Sequence, residues 1–391
     1  MKNQLYKVFF CAVFLLTFDC TVSFAFEPTD STYKVAGFRG SHIHNYKSEY
    51  WMAAGNAMSK NFSGYSTAAV WIVSFFQDDG SSQMVFPSDG KQYAGISFSS
   101  VDYAEAYLSK FDNSGIKVWL QVEPGNADMI TLINMVLNRY KQHKCVVGFG
   151  VDAEWYRNNG QYPNNNYGIQ ISDAEAQAWE AAVKSVNPNY SLFLKHFTES
   201  HMPPKYRGNI IFVDDSQQFS NLNDMLYYFK KWGSTFASNK VVYQFGYQAD
   251  KVWWSKYSNP PKALGDAIRN AIPNTAGLFW VDFTITDVFP LSITGIESDP
   301  AGAPGAYELK QNYPNPFNPS TTIEFTIKES GFVTLKIYDL LGKEVATLVN
   351  EFTAAGKHSA IFNSAALPSG IYIYRIEAGG FTAVKKLVLL K

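Results

Sequence analysis

Eight short apolar runs, separated by segments of helical period, constrain this chain more than any other feature. They are "KVAGFRG", "TAAVWIVSFF", "KVWLQVE", "VVGFGVDAE", "YSLFLKHF", "NIIFVDDS", "KVVYQFGY" and "GLFWVDFT", between residues 34 and 284. A strand that is apolar at nearly every position must be covered on both faces, as in a parallel sheet flanked by helices. Helix candidates fill the gaps: residues 127–143, 261–272, and 172–186, which opens with the capping box Ser172-Asp173-Ala174-Glu175. Eight such units over about 250 residues have the size of a (β/α)8 barrel. The fold class is therefore α/β, a TIM barrel over 33–289. The fifth crossover, "TESHMPPKYRG", is too short and Pro-rich for a good helix, so the barrel is expected to lack one.

The flanks read differently. Residues 1–25 have the form of a secretory signal: Lys2 and Lys7, an apolar run, and Ser23-Phe24-Ala25 at the cleavage positions. Asp19 interrupts the run short of the ~20 residues a membrane span needs, so no span is expected in the mature chain. Cys11 and Cys20 fall in this segment, which leaves Cys145 alone and excludes an internal disulfide or a Cys-based metal site. Residues 290–306 form a Gly/Pro/Ser linker, and 307–391 alternate like hairpins of a small antiparallel β-sandwich. There, "YELKQNYPNPFNPSTTIEFTI", "LKIYDLLGKEV", "LPSGIYIYRI" and "KKLVLLK" resemble the type A C-terminal sorting domain of the type IX secretion system. That resemblance implies export through the periplasm to the medium or cell surface, with the secretion machinery as a partner.

Chemistry concentrates in "VVGFGVDAEWY". Alternation along a strand puts Gly148, Gly150, Asp152 and Glu154 on one face and Val147, Phe149 and Val151 on the other. With the apolar set toward the helices, the glycines leave room inside the barrel. The acids then emerge at the carboxyl end, where such barrels build their sites, ~6–7 Å apart along the strand. Neighbouring carboxylates oppose each other's ionisation, which makes one a usable general acid. Glu154, nearer the open end, is the candidate acid and Asp152 its assistant. Trp155 and Tyr156 follow as candidate sugar contacts.

Other strand ends add to the set. Glu123 shares a face with Gln121 and serves either as a second carboxylate or as a helix cap. Asp214 and Asp215 point to opposite faces, so one of them looks inward. Trp280 and Asp282 share a face by alternation, with the indole either a sugar floor or core. Gln244, Tyr247, Trp253 and Trp254 complete the candidate binding residues, the last two as ligand-stacking rings in a loop. Arg39, His42, His44, Lys195 and His196 read as hydrogen-bonding groups for sugar hydroxyls. Insertions at 78–97 and 157–170 are expected to wall the cleft.

The strand at 147–154 resembles the signature of glycoside hydrolase family 18, Asp-x-x-Asp-x-Asp-x-Glu, on its last two acids, Asp152 and Glu154; Val147 and Gly150 replace the first two. The resemblance implies Glu154 as acid/base and Asp152 orienting a substrate N-acetyl group. Asp-x-Glu here also resembles the family 25 muramidases. Aromatics at 16% of the chain suit sugar stacking, while a formal charge of -1 with 17% charged residues excludes a nucleic-acid partner. The expected function is a secreted glycoside hydrolase acting on an extracellular polysaccharide or oligosaccharide, with no cofactor and no metal. The alternatives are a non-catalytic carbohydrate-binding barrel, or a metal-dependent polysaccharide hydrolase or deacetylase using His42, His44 and an Asp.

Overall fold

The computed structural model describes residues 34–77, 79–158, 168–294, 306–328, 331–353, 356–364 and 367–390. The signal segment, most of the linker and the centre of the second insertion lie outside the described residues.

Eight strands close a parallel barrel: β1 (Val35–Gly40), β2 (Ser66–Ile72), β6 (Lys117–Val122), β7 (Val146–Asp152), β8 (Ser191–Lys195), β9 (Ile211–Asp214), β10 (Val241–Phe245) and β11 (Thr275–Trp280). Each pairs in parallel with its neighbours, and β11 returns to β1. The insertion after β2 forms a separate sheet of β3 (Ser74–Phe76), β4 (Ser82–Met84) and β5 (Ile96–Phe98). It therefore stands at the carboxyl end of the barrel, beside the strand ends that carry polar groups.

The outer helices are α1 (Ser48–Lys60), α2 (Glu105–Phe111), α3 (Met129–Tyr140), α4 (Asp173–Val186), α5 (Leu222–Thr235), α6 (Lys251–Trp254), α7 (Pro260–Ala271) and α8 (Ile285–Val288). The capping box at Ser172 and Glu175 forms as read from sequence. Between β8 and β9 the chain makes only a 3-10 turn, Glu199–His201, as the Pro-rich crossover implies.

Strand alternation divides the apolar residues into two cores. Phe38, Trp71, Leu120, Phe149, Phe212, Tyr243 and Trp280 face the helices. Val35, Ala68, Val70, Trp119, Phe193, Ile211, Val213, Val242 and Phe279 fill the barrel interior as a plug. The glycines of β7 do not leave the interior open. A Cβ on Gly150 would lie 2.0 Å from the Phe193 ring, and one on Gly148 2.7 Å from Trp119. They are small because large neighbours already occupy the axis, so the polar residues collect above the plug rather than within it.

Beyond the barrel, β12 (Glu308–Leu309), β13 (Ser320–Ile327) and β16 (Gly356–Asn363) form one antiparallel sheet. β15 (Glu344–Thr353), β14 (Gly331–Tyr338), β17 (Gly370–Ala378) and β18 (Phe381–Leu389) form another. Ile323, Phe325, Leu335, Ile337, Tyr374 and Leu387 share one buried core between the sheets.

The plug sets an expectation for stability. Gly150→Ala should cost about 1–3 kcal/mol through overpacking, read from the urea midpoint at unchanged slope. Adding Phe193→Leu should restore part of that loss; strictly additive losses would mean that the two residues do not compete for the same space.

Candidate active site

Lys195, the last residue of β8, is only 3% exposed, and its ammonium lies 2.8 Å from Asp152 Oδ2, 3.3 Å from Glu154 Oε1 and 2.5 Å from Asp215 Oδ2. It reaches this point because Phe193, two residues earlier on the same face, belongs to the plug. Asp152 ends β7 and also accepts from Gln121 Nε2 at 3.2 Å. Asp215 follows β9 and accepts the Tyr247 hydroxyl at 3.4 Å.

Glu154 departs from the strand geometry expected for it. β7 ends at Asp152, and Glu154 sits in the 3-10 turn Ala153–Trp155. Its placement therefore follows from the turn, not from alternation. The turn leaves its side chain 18% exposed, against 1% for Asp152 and 5% for Asp215. Of the three carboxyls on Lys195, Glu154 is the most exposed.

These groups differ in charge. Burial, reinforced by Asp215, holds the Glu154 carboxyl well above the usual carboxylate range. Burial acts on Asp215 too, but the Lys195 ammonium overrides it and keeps that carboxyl below its ordinary value. Both carboxyls sit on the same Lys195 ammonium, and of the two Glu154 is the one whose surroundings favour the protonated form. Lys195 is itself kept charged, its desolvation outweighed by the surrounding carboxylates. A permanently protonated amine is no nucleophile.

A second buried pair lies alongside. Arg39 Nη1 meets Asp282 Oδ1 at 2.9 Å, and His44 Nε2 meets Asp282 Oδ2 at 3.1 Å. Glu123 accepts the Phe76 backbone N–H at 2.9 Å. Burial and the nearby Asp152 push its carboxyl up to about 7.

Several expected ligand contacts take other places. Trp280 does not share a face with Asp282: it points to the helices, fully buried, and donates to Thr284 Oγ1 at 3.0 Å. β11 ends at Trp280, so alternation no longer applies by Asp282. Trp253 and Trp254 are 7% and 2% exposed, so neither is available for stacking on a ligand. Trp254 packs edge-on against Trp280 and donates to the Tyr247 carbonyl at 2.9 Å. Tyr156 is also core, edge-on to Trp179 with its hydroxyl on Glu175.

Asp215, not Asp214, looks inward. Asp214 is held by Ser216 N and Oγ at 2.9 and 2.6 Å, and burial pushes it up to about 8. Gln244 lies fully buried on the inward face, two residues past Val242 of the plug. Trp155 keeps partial exposure and stacks on Phe76 at 4.7 Å.

The histidines do not gather. His42 stacks on Tyr103 at 4.4 Å, His44 is on Asp282, and His196 stacks on His201 at 4.2 Å. Among the described residues no group of three His, Cys, Asp or Glu is arranged to hold a metal ion.

Sequence reading placed Lys195 and Arg39 at the site as sugar donors but missed that both are committed to carboxylates. The available signal was a lysine two residues beyond an inward Phe at a strand end. Phe76 and Phe283 were missed as well; Phe283 is 57% exposed and lies against the Arg39 guanidinium, 5.0 Å from its ring centre.

Two clefts lie at this end of the barrel, the larger of them on the Lys195 cluster and the smaller at Glu123. One, of about 600 Å³, is lined by Glu154, Asp215, Phe197, Phe219, Tyr228 and Lys231. The other, about 160 Å³, is lined by Glu123, Phe76, His42 and Tyr103.

Residues 311–390 match the family described as secretion system C-terminal sorting domain. A chain carrying it is exported, to be secreted or held at the cell surface. No helix among the described residues is long and apolar enough to cross a membrane. No curated protein matches the sequence.

Similar solved structures include an endo-beta-1,4-mannanase from Thermotoga petrophila, at 10% identity and TM-score 0.37 over 92% of this chain and 98% of that one. A Cellulomonas fimi endo-beta-1,4-mannanase double mutant gives 12% and 0.37 over 92% and 94%. A putative alpha-galactosidase from Bacteroides fragilis gives 12% and 0.38 over 85% and 79%. Scores of this size do not identify a shared fold, so the barrel rests on its own strand pairing and closure.

The ion cluster yields a sign-definite expectation. Lys195→Met leaves buried carboxylates without a cation and should cost about 3–5 kcal/mol near neutral pH. Their folded-state pKa values then rise above the unfolded ones, so stability is lost as pH increases through that interval and recovered as it falls. Denaturant midpoints at about pH 5 and about pH 8 should show the smaller deficit at the acid end. An equal deficit at both would mean the lysine acts by packing alone.

Proposed function

We propose that this protein is an exported glycoside hydrolase whose general acid is Glu154. One observation carries the reading: Glu154 and Asp215 share the Lys195 ammonium, at 3.3 and 2.5 Å, and line one cleft, yet their environments drive their proton affinities in opposite directions. Such a divided pair assigns acid and carboxylate roles at neutral pH. In this scheme Glu154 protonates the glycosidic oxygen as the C–O bond breaks, and a water adds to the anomeric carbon, giving up a proton that restores the Glu154 carboxyl. Asp215, kept ionised by Lys195, offsets positive charge developing on the sugar ring. Glu123, with its carboxyl near 7, is available on the other side of the cluster as a second proton carrier.

The finer reading, substrate-assisted cleavage of the family 18 kind, rests on the match at Asp152 and Glu154. Asp152 is 1% exposed and already engaged by Gln121 and Lys195. From there it steadies the lysine rather than reaching a substrate amide, so the position favours a supporting role for Asp152 over orientation of an N-acetyl group. The salt bridges on Lys195 also favour a second reading, a barrel that binds saccharide without cleaving it, because a closed ion cluster at strand ends needs no catalytic role.

Product release from glucans, mannans, xylans, chitin and peptidoglycan separates the two. Hydrolysis of one of them, reduced ~10²–10⁴-fold by Glu154→Gln, is the expected result. Activity of the unaltered protein should fall on the alkaline side as Glu154 loses its proton, and residual activity of the variant should lack that limb. Binding without cleavage would establish the non-hydrolytic reading.

A further inference from the structure

The larger cleft continues outward from Glu154 and Asp215, past anything the bond-breaking step requires. Its far wall is the segment after β9 together with α5. Tyr228, on α5, is 48% exposed, and its ring is held from two sides, by Phe219 at 5.8 Å between ring centres and by Tyr227 at 5.2 Å. Phe219 is in turn fixed by its backbone N–H, which donates to the buried Asp250 carboxylate at 2.6 Å. The intervening Gln218 has φ 69, a left-handed conformation uncommon for glutamine, in a stretch where Gln217 and Gln218 are both exposed. An exposed aromatic held in one orientation, with amide side chains beside it and a volume of about 600 Å³ in front, suits a ring-shaped ligand with polar edges.

The electrostatics of the same cleft narrow the class of ligand. Of the carboxyls that line it, Glu154 and Asp214 favour their protonated forms, Glu199 is paired to the one lining lysine, Lys231, at 3.1 Å, and Asp215 to Lys195, so Asp224 leaves the cleft with negative charge in excess and no cation to spare for an anion. A saccharide carrying carboxylates or sulfates would find no free cation there and would meet the Asp224 carboxylate, an unfavourable juxtaposition. Uncharged sugars carry no such cost.

Resting on the hydrolase reading of Glu154, we infer that the cleft between the β9–α5 segment and the loop after β8 is an extended subsite for uncharged sugar units, with Tyr228 as its stacking platform. The substrate is then a neutral polysaccharide or oligosaccharide that runs several units past the scissile bond on the Glu154 side.

The test measures binding and cleavage separately. The full chain carrying Glu154→Gln is titrated with neutral gluco-, manno- and xylo-oligosaccharides of increasing length and with an oligouronate of equal length. Affinity should rise with length for one neutral series and not for the uronate. Tyr228→Ala should remove that rise, weakening the longest member about tenfold, the equivalent of one stacking contact, while Tyr228→Phe retains it. The unaltered chain is assayed for cleavage of the same sugars. Cleavage combined with length-independent affinity, or with a length effect that survives Tyr228→Ala, overturns the subsite and leaves the hydrolase reading. Length-dependent binding lost in Tyr228→Ala, without cleavage by the unaltered chain, overturns the hydrolase reading and leaves the subsite. Tighter binding of the uronate overturns the charge argument and with it the assigned ligand class.

Discussion

The ammonium of Lys195 lies out of water with three carboxyl groups within 3.3 Å, drawn from the ends of two other strands and the turn that follows one of them. None of these four groups would be tolerable as an isolated ion at that depth, because a lone buried charge costs several kcal/mol that only its partners return. The strand ends at β7, β8 and β9 are thereby tied to one another electrostatically, above an interior already filled by Trp119, Phe193 and Phe279. The plug forces polar groups upward, and the lysine then decides which of them stay charged.

Adjacent residues show how finely that decision is made. Asp214 and Asp215 are both nearly inaccessible. Yet Asp214, turned toward Ser216, is pushed up to about 8, while Asp215, turned toward Lys195, is held below the ordinary range. Burial is common to both, so the difference comes from the direction each side chain takes. The same contrast, carried one carboxyl further, raises the proton affinity of Glu154 beside a neighbour whose own is lowered.

The barrel was legible because a strand covered on both faces must be apolar almost throughout, and eight such runs cannot be arranged in many ways. The missing fifth helix could be read from its prolines. Alternation failed where β11 stops at Trp280, so Asp282 does not obey the parity of the residues before it, whereas Glu154, although in the turn after β7, still meets the same lysine as Asp152. The central role of Lys195 was not legible because its partners come from distant parts of the chain and meet only through the register of β7, β8 and β9. Trp253 and Trp254 misled for a related reason. The short α6 turns both beneath the surface, a fact of packing that adjacency in sequence does not encode. The glycines of β7 were noticed correctly but assigned the opposite consequence, since small residues there accommodate large neighbours instead of opening a cavity.

The turn Ala153–Trp155 separates two kinds of constraint along three residues. Asp152 is held by the sheet and cannot move without disturbing the ladder to β8. Glu154 stands past the last ladder position, on a segment whose length and dihedrals can drift without cost to the sheet. Changing a few backbone angles or inserting a residue after Asp152 would therefore shift the reach of this acid and leave the ladder intact. Because its burial and the neighbouring Asp215 set its proton affinity, the same shift would retune its acidity, so the two traits change together on this scaffold.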